Sequence, residues 1–111
     1  MIEVFLSKAL ICIASQCYPA LVGRTTPVGE YRLQQIEVTQ KGYGGDIMAF
    51  AMDEHGDVFA IHRLYLLNKQ QRDKRILSER VQDRVITNGC INVQDFVYEQ
   101  LKTGDVLIIR P

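Results

Sequence analysis

The apolar residues of this chain come in short runs, and that constrains its fold more than any other feature. Residues 9–14, 47–52, 58–61 and 106–109 are apolar stretches of four to six positions, each fenced by Gly, Pro, Asp or polar residues. Runs of that length between turn formers suit buried strands, whereas a helix shows apolar residues every three to four positions over about ten or more. One stretch has the helical spacing, with Val93, Phe96, Val97 and Leu101 at i, i+3, i+4 and i+8. A polar stretch at 69–78 follows Asn68, with Gln71 three residues on in the manner of a capping box. The expected architecture is mainly β with one or two short helices. A chain of 111 residues supports one core, so a single domain spanning 1–111 is expected.

Several pairings follow from the order of the runs. Residues 3–6 and 9–14 form a hairpin across Ser7-Lys8, and Pro19 confines the 18–22 segment to a sheet edge or a strand start. The 31–38 segment alternates from Tyr31 to Leu33 and again from Ile36 to Val38, with an irregularity between. Residues 47–52 and 58–61 flank the 53–57 turn as a hairpin, 64–67 continue the apolar strip, and 106–109 close the chain inside a sheet. The glycine-rich 41–46 loop lacks the Gly-Lys-Ser/Thr of a nucleotide site, and is read as a flap with Tyr43 as its aromatic contact. The acidic turn around His55 is read as solvated, with no metal bound.

Lys plus Arg and Asp plus Glu number 13 each, so the formal net charge is +0. No long-range field steers such a chain to nucleic acid or an anionic membrane, and neither is expected as a partner. The three cysteines, Cys12, Cys17 and Cys90, are odd in number and match no metal spacing. Cys12 reads as a small core residue, and Cys17 pairs with it only if the intervening turn brings the two together. Free thiols suit a reducing compartment. Glu3 stands where a secretory signal is basic, and the 9–14 run is too short to span a bilayer. A cytoplasmic location is expected, or a periplasmic one if the chain is part of a longer exported protein.

The chemistry concentrates at 84–92. Cys90 is expected in a turn between a short β-type run at 84–87 and a helix starting after Asn92, with Asn92 as N-cap and Asp95 in the first turn. A helix start favours thiolate over thiol. Gly89 clears space beside the sulfur, and the Gly89 and Cys90 N–H groups are placed to face an oxyanion. Of the two histidines, His62 ends an interior-type strand and is the candidate base, whereas His55 sits at a hairpin tip. The competing reading is a satisfied core histidine and an inert buried cysteine.

Thr87-Asn88-Gly89-Cys90-Ile91-Asn92 resembles the nucleophile signature of the L,D-transpeptidase catalytic domain (YkuD type). Arg24-Thr25-Thr26-Pro27-Val28-Gly29-Glu30-Tyr31 is similar to that family's Thr-Pro-x-Gly-x-aromatic segment, and Ala60-Ile61-His62 to the strand presenting its histidine. The three occur in the family's order. Asn88 stands where many members carry a second His, and the stretch from His62 to Cys90 is longer than usual, as if a helix were inserted.

The resemblance implies a compact β-sandwich or barrel-like fold and a cysteine acyl-transfer enzyme acting on peptidoglycan stem peptides without metal or organic cofactor. It makes Cys90 the nucleophile, His62 the base and Gly89 part of the oxyanion site. Thr87, Asn88, Asn92, Arg84, Arg63, Arg24 and Thr26 are candidate substrate contacts, with Arg75, Arg80 or Arg84 to hold a substrate carboxylate. The expected partner is a stem tetrapeptide or muropeptide. The expected reaction is L,D-carboxypeptidase removal of the terminal D-Ala after meso-diaminopimelate, as in cell-wall recycling. The alternatives are an L,D-transpeptidase that cross-links stems or exchanges D-amino acids, and a non-catalytic stem-peptide-binding module.

Overall fold

In chain order the strands and helices are β1 (Ile2–Phe5), β2 (Leu10–Ile13), β3 (Gln16–Pro19), β4 (Gly29–Arg32), β5 (Gln34–Glu37), β6 (Asp46–Met52), β7 (Val58–Arg63), α1 (Arg72–Arg75), β8 (Ile91–Val93), α2 (Asp95–Tyr98) and β9 (Val106–Arg110). They belong to a computed structural model that describes residues 1–111. The protein is mainly β with two short helices, and its strands form two mixed sheets ordered β3-β2-β1-β9-β4 and β5-β6-β7-β8. Each sheet has one parallel seam, β1 beside β9 and β7 beside β8. No helix is long and apolar enough to cross a membrane.

The two sheets share one core. Ile2, Val4, Ile11, Leu107 and Ile109 from the larger sheet meet Met48, Phe50, Ile61, Ile91 and Val93 from the smaller, and Val97, Tyr98 and Leu101 close one end. Burying each large aliphatic side chain contributes roughly 1.5–3 kcal/mol. β1, β6 and β9 bury alternate residues, but Ala60, Ile61 and His62 of β7 are buried in succession. β7 lies between β6 and β8, so it is interior, as its unbroken apolar run predicts.

The irregularity at 33–36 is a change of sheet. β4 pairs with β9 and β5 pairs with β6, and Leu33 between them is buried, bonding through its N–H to Asp105 O and through its carbonyl to Gly104 N. Pro19 ends β3 at a sheet edge, as expected.

Four expectations are corrected. Cys12 and Cys17 are not free: they sit directly opposite across the β2–β3 hairpin, Cα atoms 3.9 Å apart, and form a disulfide. The turn that brings them together runs through Ala14 and Ser15, both with positive φ (50° and 71°), the conformation of a tight hairpin loop. Only Cys90 remains a free thiol, and the cysteine argument for a reducing compartment falls away. Residues 64–67 form no strand, and Leu66 and Leu67 lie exposed. The 69–78 helix shrinks to α1, anchored by the buried Ile76. The last helix starts at Asp95 with Gln94 as N-cap, because Ile91, Asn92 and Val93 extend along β7 as a strand, where pairing and full burial outweigh the capping preference of Asn92.

Candidate active site

The parallel β7–β8 seam assembles the site. Its register sets Ile61 opposite Ile91 and His62 opposite Asn92, so Cys90, just before β8, comes alongside Ala60 at the interior of β7. His62 and Cys90 line one cleft of about 460 Å³ with Tyr43, Tyr65, Arg72 and Asn88 among its walls. The Tyr43 ring of the glycine-rich loop meets the imidazole edge-on at 4.8 Å between centroids.

The Cys90 turn is held from inside and from a neighbouring segment. Thr87 Oγ1 donates to the Cys90 carbonyl (2.6 Å) and accepts from the Gly89 N–H (3.2 Å). The Thr25 and Thr26 hydroxyls donate to the Asn88 and Gly89 carbonyls at 3.1 and 2.9 Å, and Thr26 Oγ1 accepts from the Gly23 N–H. Gly89 has φ +125°, and a Cβ there would run into the Phe59 ring, so conformation and space both demand glycine. The Thr-Thr-Pro segment is thus the buttress of the Cys90 turn.

His62 is fixed by a chain of hydrogen bonds. Its Nδ1 lies 2.6 Å from the Arg63 carbonyl and its Nε2 3.3 Å from the Asn92 amide nitrogen. Asn92 Oδ1 accepts from Arg72 Nη1 at 2.7 Å, which orients the amide so that its NH2 faces Nε2. The imidazole is therefore the Nδ1–H tautomer, donating to Arg63 O and accepting at Nε2. Burial pushes its pKa down to about 4, and the imidazole is neutral at pH 7.

Cys90 bonds elsewhere. Its thiol lies 3.8 Å from the Val58 carbonyl, not within bonding distance of the imidazole. Burial raises the thiol pKa, opposed by a backbone hydrogen bond from Ala60 and the Arg72 charge. The expected lowering by a helix start is overturned, since α2 begins only at Asp95 and spans four residues. The resting pair is a neutral thiol beside a neutral imidazole. Such pairs often tighten only when substrate binds.

The remaining candidates separate. Thr87 and Asn88 line the cleft, and Asn92 supports His62 from a fully buried position. The Gly89 N–H is committed to Thr87, whereas the Cys90 N–H has no partner among the turn and loop hydrogen bonds, so the expected pair of oxyanion donors reduces to one at most. Thr26 holds the turn and is not a cleft residue; Arg24 is exposed outside the cleft lining. The Arg63 side chain turns away to pair with Asp46 (2.8 Å) and to lie over the Tyr98 ring (4.2 Å). Arg84 is buried, its guanidinium bonded to the Lys8, Ala9 and Ser78 carbonyls, so it fastens the chain to the β1–β2 turn and cannot serve substrate. Arg75 likewise bonds to the Gln70 and Asp83 carbonyls, and neither it nor Arg80 lines the cleft.

The cationic residue in the cleft is Arg72, which the sequence placed only within the polar stretch at 69–78. One signal pointed to it: a parallel β7–β8 pair needs a crossover, and the 64–90 connection must pass over the strands it joins. The 53–57 turn also reaches the cleft through Asp53 and Asp57, although Asp53 Oδ1 is occupied by the His55 and Asp57 N–H groups. No group of three His, Cys, Asp or Glu side chains gathers as a metal site. The chain matches no protein-family model, no curated protein and no solved structure.

Proposed function

We propose that the protein is a cysteine-dependent acyl-transfer enzyme of the L,D-transpeptidase type, acting on peptidoglycan stem peptides through Cys90. The observation that carries this reading is the convergence of Cys90 and a tautomer-fixed His62 on one cleft, from adjacent parallel strands. A binding module needs neither group. With substrate bound, Cys90 Sγ attacks the carbonyl of the L-centre of the diaminopimelyl residue as its proton passes to His62 Nε2, the one unprotonated ring nitrogen, which gives up its hydrogen bond from the Asn92 amide. The S–C bond forms, the C–N bond to D-alanine breaks, and the imidazolium returns the proton to the departing amine. The unpartnered Cys90 N–H is the backbone donor of the turn left to face the developing oxyanion. The Arg63 carbonyl, accepting from Nδ1–H, stabilises the transient imidazolium as the third member of the relay.

Water is the favoured acceptor, which makes the enzyme an L,D-carboxypeptidase. A second cavity also reaches Cys90, His62 and Tyr43, but it is small, about 170 Å³, and walled mainly by Val38, Ile47, Val58 and Ala60. Such a space admits water more readily than the charged side chain of a second stem. One observation favours transpeptidation instead: the Cys12–Cys17 disulfide suits an oxidising compartment, where the wall polymer lies. A cytoplasmic recycling role therefore belongs to the carboxypeptidase reading alone.

Mass spectrometry of a purified stem tetrapeptide incubated with the protein, with and without added D-amino acid, separates the readings. Tripeptide and free D-alanine in both samples is the expected outcome. Exchanged or dimeric products mean a transpeptidase, and an untouched tetrapeptide without a Cys90 adduct returns the binding module.

A further inference from the structure

Arg72 has no carboxylate partner. The protein's ion pairs are Asp46–Arg63, Glu3–Arg110 and Glu54–His55, and none includes it. Its guanidinium is held by neutral oxygens alone: Nε and Nη2 reach Gln70 Oε1 at 3.0 and 2.8 Å, and Nη1 reaches Asn92 Oδ1. A guanidinium has five N–H donors, so two remain, one on each Nη, free to donate to an arriving carboxylate. The group is half-withdrawn from water, and burial lowers its pKa. A desolvated cation without a counter-ion is costly to keep, and an arriving anion recovers that cost.

Its position is set by the catalytic residues themselves. The bond to Asn92 ties it to the fully buried amide that holds His62 Nε2, and its charge is felt at Cys90 and at Tyr43. No other Lys or Arg lines the cleft. In a peptide attacked one residue before its end, the terminal carboxylate lies about 3.5 Å of chain beyond the reacting carbonyl. Arg72 and Cys90 line the same cleft and the Arg72 charge acts on the thiol, so a carboxylate held by Arg72 lies in the same site as the carbonyl that Cys90 attacks.

We propose that Arg72 reads the free terminal carboxylate of the acylating peptide, and so restricts the substrate to peptides ending one residue after the attacked carbonyl. This rests on the acyl-transfer reading above and adds its specificity determinant. The assignment excludes C-terminal amides and longer peptides, whose chain carries no charge at that position.

The test uses two probes, the stem tetrapeptide as free acid and as C-terminal amide. Binding is titrated on the Cys90→Ala protein to prevent turnover, and thioester formation is followed by intact mass on the protein with Cys90 present. The acid is expected to bind about tenfold or more tighter than the amide. Arg72→Gln abolishes that preference without weakening the amide, and Arg72→Lys keeps part of it. The corresponding loss in turnover appears in KM for the acid more than in kcat. Equal binding of acid and amide with Arg72 present, or a preference that survives Arg72→Gln, overturns the assignment; the first comparison needs no Arg72 variant to fold. An acid preference lost in Arg72→Gln, with no thioester ever seen, leaves the carboxylate site standing and removes acyl transfer. Acid and amide that acylate Cys90 equally well do the reverse.

Discussion

The two sheets each have one parallel seam, and only one of them brings the candidate reacting groups together. In the larger sheet β1 and β9 bring the two ends of the chain together with Ile2 opposite Leu107 and Val4 opposite Ile109, all buried. In the smaller sheet β7 and β8 place His62 opposite Asn92, also buried, with Cys90 one step before the strand. The first seam fills space. The second replaces a pair of aliphatic side chains with an imidazole and an amide whose polar atoms are all satisfied, by Arg63 O, by Arg72 and by each other. A parallel seam is thus a neutral framework, and the residues at its register positions decide whether it is core or site.

That contrast is broken most sharply by replacing the reacting atoms. Cys90→Ala is expected to lower D-alanine release from tetrapeptide by about 10³-fold or more while melting near the parent temperature, and His62→Gln by about 10²–10⁴-fold. Retained cleavage in Cys90→Ala would sink the catalytic assignment. At the other seam, Leu107→Ala leaves a cavity in the shared core and should cost about 2–5 kcal/mol in chemical denaturation, with turnover per folded molecule preserved.

The buried imidazole also gives the smaller sheet a pH dependence that the larger one lacks. The His62 pKa falls from 6.5 in the unfolded chain to about 4 when folded, so the unfolded state binds more protons between these values. Its contribution is complete above pH 6.5 and declines as pH falls towards 4, by an amount on the order of 3 kcal/mol at about 1.4 kcal/mol per unit. Stability curves of the parent and His62→Gln should converge over that window; parallel curves would mean that His62 is not held neutral by burial.

Two smaller effects separate fastening from function. Arg84→Met unpairs the Lys8, Ala9 and Ser78 carbonyls and should destabilise by about 2–3 kcal/mol with little change in kcat or KM, unlike Arg72→Gln, whose loss appears in KM. Opening the short Cys12–Cys17 loop by Cys12→Ala with Cys17→Ala should cost about 2 kcal/mol and leave activity intact, since the pair lies in the larger sheet, away from Cys90. A large activity loss from that double variant would show that the two seams are coupled.

Much of the fold was legible because strands announce themselves locally. The runs that became β2, β6, β7 and β9 are apolar and fenced by turn formers, and Pro19 and the 33–36 irregularity marked an edge and a change of sheet. What misled was local preference in a non-local setting. Asn92 has the chemistry of an N-cap, but at this register it meets His62 and Arg72 and is worth more as a buried bridge. Ala14 and Ser15 carry no hairpin signature, so the turn that pairs the cysteines was invisible. Arg84 looked available because its partners Lys8 and Ala9 lie at the far end of the chain.

By itself the sequence determined that this chain is mainly β with short helices, that Cys90 and His62 are its candidate reacting groups, and that Pro19 sits at a sheet edge. Those properties belong to residue types and short spacings. The tertiary structure alone decided that Arg72 and not Arg84 faces the cleft, that Asn92 supports the imidazole, and that the Cys90 thiol rests in its neutral form. Each of these depends on which groups a crossover, a register and a buried environment bring within a few ångströms, and hydrogen bonds and desolvation act only over that range.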